Sequence, residues 1–127
     1  MVVNARQPYD ENNIFARILR GEIPCRKVHE NAFALAFHDI NPQADVHVLV
    51  IPKGPYVSFA DFCVDAPDTL VTGFFRTVAD VAQELGLVES GYRLLANAGV
   101  HAHQEVPHFH VHLFGGHALG PMLVRRS

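Results

Sequence analysis

Three histidines alternate with apolar residues near the C-terminal end of this 127-residue chain, in the segment HFHVHLF at 108–114. Because the side chains of a β-strand point alternately to its two faces, the pattern predicts a strand. His108, His110 and His112 then share one face, and the apolar side chains between them share the other. The apolar face needs a hydrophobic layer to pack against, while the other face carries three groups that titrate near neutral pH. The chain is therefore constrained to a sheet with one covered face and one face suited to chemistry.

The remaining sequence predicts the elements of that sheet and its covering layer. Apolar residues at helical spacing predict a short helix over 14–19 and a long helix over about 68–85. Turn residues and apolar runs predict strands at 25–30, 32–40, 46–51, 92–96 and 108–114. This order predicts a single α+β domain over residues 1–127, with an antiparallel sheet of about five strands and the long helix packed on it. The polar residues 1–12 are expected to be flexible.

Charge and composition exclude several classes of function. The 10 basic and 13 acidic residues give a formal charge of −3, which argues against a nucleic-acid partner. The longest apolar runs, such as residues 48–51, are far shorter than the roughly 20 residues of a membrane-spanning helix. The N-terminus has no basic start followed by an apolar stretch, and two cysteines cannot form a disulfide framework. We therefore expect a cytoplasmic protein without a membrane partner.

The histidine row has three interpretations from the residues alone. It could be a solvent-facing strand that happens to use histidine. It could be a metal site, because imidazole is a common ligand and His101, His103 and Glu105 are near in sequence. It could also serve nucleophilic catalysis, with one histidine attacking and the others orienting it and binding an anionic substrate. The third interpretation is favoured by the loop residues Asn97 and Gly99, which follow a predicted strand and could face the same ligand.

The chain resembles the histidine triad (HIT) superfamily, whose signature is His-x-His-x-His followed by two apolar residues. The resemblance is carried by IFARILRGEIP, AFHDINPQADVHVLVIPK, YRLLANAG and QEVPHFHVHLFGG, and so covers nearly the whole chain. The first and last of these segments are similar to the Hint branch, the purine nucleoside phosphoramidases. The resemblance implies the HIT fold and a hydrolase that cleaves a P–N or acyl-phosphate bond of a nucleoside monophosphate conjugate.

Catalytic roles follow from the resemblance by position. It implies that His110 is the nucleophile, forming a nucleotidyl-histidine that water hydrolyses, while a backbone carbonyl on a neighbouring loop holds its other ring nitrogen. It implies that His112 contacts the phosphate oxygens and that His108 and His47 support this group. From its strand position alone, His47 could equally be a core histidine. No metal or cofactor is implied, and the Cys-x-x-Cys of zinc-containing relatives is replaced by residues 12–16.

Substrate contacts also follow from the resemblance. Asp39 would accept the ribose hydroxyls, although before Asn41-Pro42 it could simply stabilise a turn. Asn97 would lie beside the phosphate, although it could instead be a left-handed turn residue. Ile40 would line an apolar base pocket. Phe15 and Ile18 would be its neighbours there, although both could instead be core residues of the short helix. The other predicted substrate-binding residues are Gly99, His103 and Glu105.

The resemblance leaves substrate and assembly open. Hint proteins usually carry Gly and Ser where this chain has His103 and Glu105, and a carboxylate there should repel phosphate unless it binds the amine leaving group. The alternatives are a dinucleoside polyphosphate hydrolase and a nucleotide-binding or partner-binding module with little turnover. Hint-like proteins are homodimers, so we expect a homodimer that pairs through the long helix and the strand at 92–96. Phe74, Phe75 and Val78 could serve that interface or the core.

Overall fold

Five antiparallel strands form one sheet in the order β1-β2-β3-β5-β4, in a computed structural model that describes residues 2–124. The strands are β1 (Lys27–Glu30), β2 (Ala34–His38), β3 (Val46–Pro52), β4 (Arg93–Leu95) and β5 (Val111–Gly115). The helices are α1 (Ile14–Leu19), α2 (Phe59–Asp65) and α3 (Asp68–Glu84). The predicted α+β class, with about five antiparallel strands and one long helix, is confirmed. Within the described residues, no helix combines the length and apolar composition needed to cross a membrane.

Helix α3 covers one face of the sheet. Its buried Phe74 and Val78 pack in one cluster with Phe109, Val111 and Leu113, the apolar residues that alternate with the histidines. The alternation predicted for this segment therefore holds, with its apolar side on the main core. Because Phe74 and Val78 are buried in this core, they are not free to pair with a second chain. A smaller apolar cluster on the opposite face contains Phe15, Leu35, Phe37, Leu49 and Ile51.

The last strand is shorter than the predicted segment 108–114. Regular pairing with β3 begins at Val111, opposite Val50, and continues to Gly115. Before Val111 the chain leaves the ladder, because the Phe109 amide donates to the Tyr56 carbonyl at 2.7 Å instead of to β3. His108 and His110 thus precede the regular strand, in a segment fixed by other contacts.

Helix α2 was not predicted, although its start carries a sequence signal. Ser58 caps the helix by accepting from the Ala60 amide, and Asp61 reaches back to the amide of Ser58 at 2.8 Å. This reciprocal arrangement is a capping box, and its Ser-x-x-Asp spacing is visible in the chain. The helix has only seven residues, so it lacks the long apolar periodicity that reveals α3.

The N-terminal segment packs against the domain, where the sequence predicted a loose end. Val3 is buried, and the Ser58 hydroxyl donates to the Ala5 carbonyl at 2.8 Å. Tyr9 reaches His108. These hydrogen bonds join residues 53 and 99 positions apart, so the local polarity of the segment could not reveal them.

Replacing Asn13 with alanine should reduce the free energy of unfolding by about 1–2 kcal/mol. The Asn13 side chain caps α1 by accepting from the Ala16 amide at 2.9 Å, and Asn13 is only 6% exposed. Urea unfolding measures the effect. The neighbouring exposed Asn12 provides the matched control, because an Asn12→Ala change should stay within about 0.5 kcal/mol of the parent. Equal losses in the two variants would contradict the capping role.

Candidate active site

A cavity lies on the sheet face opposite α3, between α1, the sheet and the loop 97–106. The register of β3 and β5 places two of its lining residues side by side, because Leu49 of β3 lies opposite His112 of β5. Eight of the twelve site residues predicted from the sequence line this cavity: Phe15, Asp39, His47, Asn97, His103, Glu105, His110 and His112. The structure therefore brings together residues as far apart in the chain as Phe15 and His112.

His110 has one ring nitrogen held and one free. Its Nδ1 lies 2.7 Å from the carbonyl oxygen of His108. Because a carbonyl oxygen only accepts, Nδ1 carries the proton and Nε2 keeps its lone pair. The carbonyl was expected on a neighbouring loop; it belongs instead to His108, two residues earlier in the same segment. Burial lowers the pKa of His110, so the ring is neutral and nucleophilic at pH 7.

The tautomer of His112 is fixed by a chain of two hydrogen bonds. The Gln43 amide donates to Nδ1 of His47 at 3.1 Å, so the proton of His47 sits on Nε2. His47 Nε2 donates in turn to Nδ1 of His112 at 2.9 Å. The remaining N–H of His112 is therefore at Nε2, on a ring that lines the cavity. This arrangement offers a donor to a bound anion without requiring a positive charge.

His108 lies behind the cavity and does not line it. The side chain is fully buried, and Nε2 donates to the Pro52 carbonyl at 3.0 Å. Its Nδ1 must then accept, and the Tyr9 hydroxyl donates to it at 2.6 Å. Burial lowers the pKa of His108 to about 4, so this histidine stays neutral over the physiological range.

Acid should destabilise the fold because the core of the site holds neutral histidines. Burial lowers the pKa of His112 to about 3 and that of His108 to about 4, and it also lowers those of His47 and His110. An unfolded histidine has a pKa of about 6.5 and takes up a proton there, while the folded ones do not. The free energy of unfolding should therefore be constant above about pH 7 and fall between about pH 6.5 and 4.

Urea unfolding from pH 4.5 to 8 tests this expectation. The slope of the free energy against pH gives the number of protons taken up on unfolding. We expect more than one proton in this window for the parent, and about one fewer for His112→Gln. A slope near zero below pH 6.5 would contradict the neutral histidine network.

The two carboxylate oxygens of Asp39 make different contacts. Oδ1 accepts from the Asn41 amide at 2.8 Å, which is the contact of a turn. Oδ2 lies 3.5 Å from Nε2 of His47, and Asp39 lines the cavity. The turn therefore holds the carboxylate in place while one oxygen remains available to the cavity.

The loop 97–106 closes one side of the cavity. Gln104 is buried at its base, where its Oε1 accepts from the Gly99 amide at 2.9 Å and its Nε2 donates to the Val57 carbonyl at 2.7 Å. At the rim, Nε2 of His103 lies 3.2 Å from a carboxylate oxygen of Glu105, and both side chains are largely exposed. Glu105 thus contributes negative charge at the mouth of the cavity.

Four of the predicted residues do not line the cavity. Besides His108, Ile40 does not line the cavity and is 87% exposed beyond the end of β2. The side chain of Ile18, on α1, packs against the smaller apolar cluster. Gly99 has a φ of +82° and turns the loop, and its amide bonds to Gln104.

Several cavity residues were missed from the sequence: Asn41, Gln43, Leu49, Ala102, Gln104 and Val106. Leu49 had a usable signal, because strand alternation puts it on the same face as His47, two positions earlier. Gln43 acts through its backbone amide, which no residue type reveals. Gln104 acts by bonding to distant loop segments, so only the folded chain identifies it.

Asp39, His47 and His112 are a group that could hold a metal ion. Their ligand atoms lie within 4.8 Å of one another. The set differs from the one considered from the sequence, which used His101, His103 and Glu105. A metal ion here would have to replace the proton shared between His47 and His112.

Known proteins resemble this chain over most of its length. Residues 20–119 match the HIT domain family. A 13.2 kDa HIT-like protein of Azospirillum brasilense, whose function is uncharacterised, is 59% identical over 117 residues, which is 92% of this chain and 96% of the relative. The purine nucleoside phosphoramidase of Escherichia coli K12 is 43% identical over 118 residues, which is 92% of this chain and 98% of that enzyme.

Solved structures agree with these sequence relationships. A crystal structure of a HIT family hydrolase from Legionella pneumophila superimposes with a TM-score of 0.80 at 40% sequence identity. The match covers 86% of this chain and 96% of that one. A histidine triad protein from Clostridium difficile gives a TM-score of 0.78 at 37% identity, covering 90% of this chain and 98% of that one.

Proposed function

Because this chain belongs to the HIT domain family, we propose that it is a hydrolase that cleaves the P–N bond of purine nucleoside 5′-phosphoramidates, or the acyl-phosphate bond of acyl nucleotides. The observation that carries this proposal is the hydrogen bond from His110 Nδ1 to the His108 carbonyl. It leaves a neutral imidazole with a free Nε2 lone pair in a cavity that also contains a hydrogen-bond donor. The name of the Escherichia coli relative, purine nucleoside phosphoramidase, supports the same substrate class.

The first half of the reaction forms a covalent intermediate. The Nε2 lone pair of His110 attacks the α-phosphorus, the P–N bond breaks, and its electron pair leaves with the amine nitrogen, which takes a proton at the solvent-exposed mouth. Positive charge develops on the His110 ring, and the His108 carbonyl oxygen stabilises it through Nδ1–H. In the second half, water attacks phosphorus and loses a proton to solvent, the P–Nε2 bond breaks with its electron pair returning to His110, and a nucleoside monophosphate is released.

His112 stabilises the charge that develops on the phosphoryl oxygens. Its Nε2–H is oriented by His47, which is itself oriented by the Gln43 amide. A donor that is already in place costs no reorganisation as the transition state forms. In the same proposal Asp39 accepts the ribose hydroxyls through its cavity-side oxygen, Asn97 contacts the phosphate, and Phe15 packs against the nucleoside.

The charge of the cavity favours a phosphoramidate over a dinucleoside polyphosphate. Within residues 2–124, no lysine or arginine lines the cavity, while Asp39 and Glu105 do. A phosphoramidate brings one negative charge, and a dinucleoside polyphosphate brings several. Two like charges 4 Å apart repel by about 1 kcal/mol in water and about 4 kcal/mol at a dielectric constant near 20. Each added phosphate therefore weakens binding at this site.

Hydrolysis of adenosine 5′-phosphoramidate by the purified chain tests the proposal, with diadenosine tetraphosphate as the competing substrate. We expect turnover of the first that exceeds turnover of the second and persists in a chelator. A nucleotidyl adduct on His110, detected by mass spectrometry after alkaline quenching, would support the covalent step. Binding of a purine monophosphate without turnover would favour the binding module, and loss of turnover in chelator would favour the metal site.

We also propose that the protein is a homodimer that pairs through the edge of the sheet at β4. This strand ends the sheet order, and exposed apolar side chains, Tyr92 at 40% and Leu94 at 47%, lie on or beside it. An uncovered strand edge with apolar neighbours favours pairing with another chain. Light scattering should give twice the chain mass of 14.1 kDa, and a Leu94→Lys variant should shift the protein toward the monomer.

A further inference from the structure

We propose that Tyr9 is a positioning residue of the active site, whose hydroxyl locks the His108 ring and thereby fixes the carbonyl that orients His110. The inference rests on the proposed function for its kinetic consequence. Tyr9 comes before the residues matched by the HIT domain family, 20–119. The histidine triad would thus be completed by a residue that the family match does not include.

Hydrogen-bond chemistry fixes the direction of each contact. The Pro52 carbonyl can only accept, so His108 Nε2 donates to it at 3.0 Å. The Nδ1 atom of this neutral ring is left as an acceptor, and the Tyr9 hydroxyl at 2.6 Å must be its donor. Burial raises the pKa of Tyr9, which keeps the hydroxyl protonated. The His108 ring is therefore held from both sides in one tautomer.

The held ring and the orienting carbonyl belong to the same residue. His108 is fully buried, and its carbonyl oxygen lies 2.7 Å from His110 Nδ1. Without the Tyr9 hydroxyl, Nδ1 of His108 would be buried without its donor, which is costly enough to change the ring position or tautomer. A tautomer change would also break the hydrogen bond from Nε2 to Pro52, so in either case the buried ring loses its fixed position. We expect a shift of the ring to displace the backbone of residue 108, and small displacements of a reacting group lower its rate strongly.

The N-terminal segment is built to hold Tyr9 in place. On one side of Tyr9, the Ala5 carbonyl accepts from the buried Ser58 hydroxyl. On the other side, Asn13 caps α1 and donates to the Asp10 carbonyl at 2.8 Å. Anchors on both sides explain how a tyrosine outside the sheet keeps a short hydrogen bond to the core.

The kinetic test compares Tyr9→Phe with a matched control. Tyr9→Phe keeps the ring and removes one hydrogen bond, and we expect kcat for adenosine 5′-phosphoramidate to fall about tenfold with KM unchanged within about twofold. The control is Thr77→Val on α3, which also removes a buried hydroxyl, bonded to Asn31 at 2.8 Å and to the Gly73 carbonyl at 2.7 Å. It should lower thermal stability similarly and leave kcat unchanged. A kcat for Tyr9→Phe that falls no further than that of the control would overturn the proposal.

Nitrogen-15 NMR of the histidine rings tests the proposal first on the parent protein, so this part of the test does not require the variant to fold. The parent protein should show His108 with its proton on Nε2 and Nδ1 as a strongly hydrogen-bonded acceptor. In Tyr9→Phe, the Nδ1 resonance should move toward that of a free acceptor or the tautomer should change. A parent spectrum with the His108 proton on Nδ1 would refute the proposal even if Tyr9→Phe failed to fold.

Labelling with diethyl pyrocarbonate separates this inference from the proposed function. The reagent acylates the free nitrogen of a neutral imidazole, so the labelling rate of His110, followed by mass spectrometry, reports its nucleophilicity without any nucleotide. We expect slower labelling of His110 in Tyr9→Phe than in the parent and in Thr77→Val. If the parent did not cleave phosphoramidates, the proposed function would fail, while slower labelling would still support the role of Tyr9. Equal labelling rates would overturn that role.

Discussion

Replacing His110 with alanine should lower kcat/KM for adenosine 5′-phosphoramidate by at least about 10⁴-fold, because the variant has no atom that can form the covalent intermediate. The neighbouring groups that we propose to bind and polarise the phosphate remain, so the affinity for a purine nucleoside monophosphate should change by less than about threefold. Steady-state assays measure the first quantity and calorimetry measures the second. This separation of turnover from binding is the expected signature of a nucleophile.

Two further variants sharpen this result. His29→Ala removes a histidine of β1 that pairs with Glu84 outside the cavity, and it should retain parental turnover. His110→Gly opens space at the cavity, and added imidazole should restore part of its activity by taking the place of the missing ring. If His110→Ala kept more than about 1% of the parental activity, another group would have to be the nucleophile.

Removing the donor at His112 should have the second largest effect. His112→Leu deletes the N–H that we propose to bind the phosphoryl oxygens, and we expect kcat to fall by about 10²- to 10³-fold, as for other donors aimed at developing charge. His112→Gln places an amide N–H at about the position of the imidazole Nε2, so its loss should be smaller. Single-turnover kinetics would show which half of the reaction is slowed. Equal losses in the two variants would contradict the donor role.

The fold was predictable where the local pattern and the tertiary structure agree. The alternation at 108–114 correctly separates Phe109, Val111 and Leu113 from the histidines, because those three residues do pack in the α3 core. The strand boundary was wrong, because the Phe109 amide bonds to Tyr56 and not to β3. Such a contact crosses 53 positions of the chain and has no local signature.

The site was predictable to the extent that side-chain type reveals chemistry. Histidine and carboxylate side chains are recognisable as chemical groups in the sequence, and most of the predicted site residues line one cavity. Groups that act through the backbone cannot be recognised in this way. The Gln43 amide and the His108 carbonyl are examples in this chain. Ile40 was assigned by position in a resembling family, but in this chain its side chain points to solvent.

The hydrogen bonds that set the histidine tautomers have a consequence for how such a protein can diversify. The Gln43 amide and the carbonyls of Pro52 and His108 are main-chain groups, which substitution of a neighbouring side chain does not remove. The tautomers of His47, His108 and His110, and through His47 that of His112, are therefore fixed by the path of the backbone. Rim residues such as His103 and Glu105 can change by single mutations without disturbing them. Under the proposed function, selection can thus explore new leaving groups in small steps while the groups proposed to break the bond stay in place.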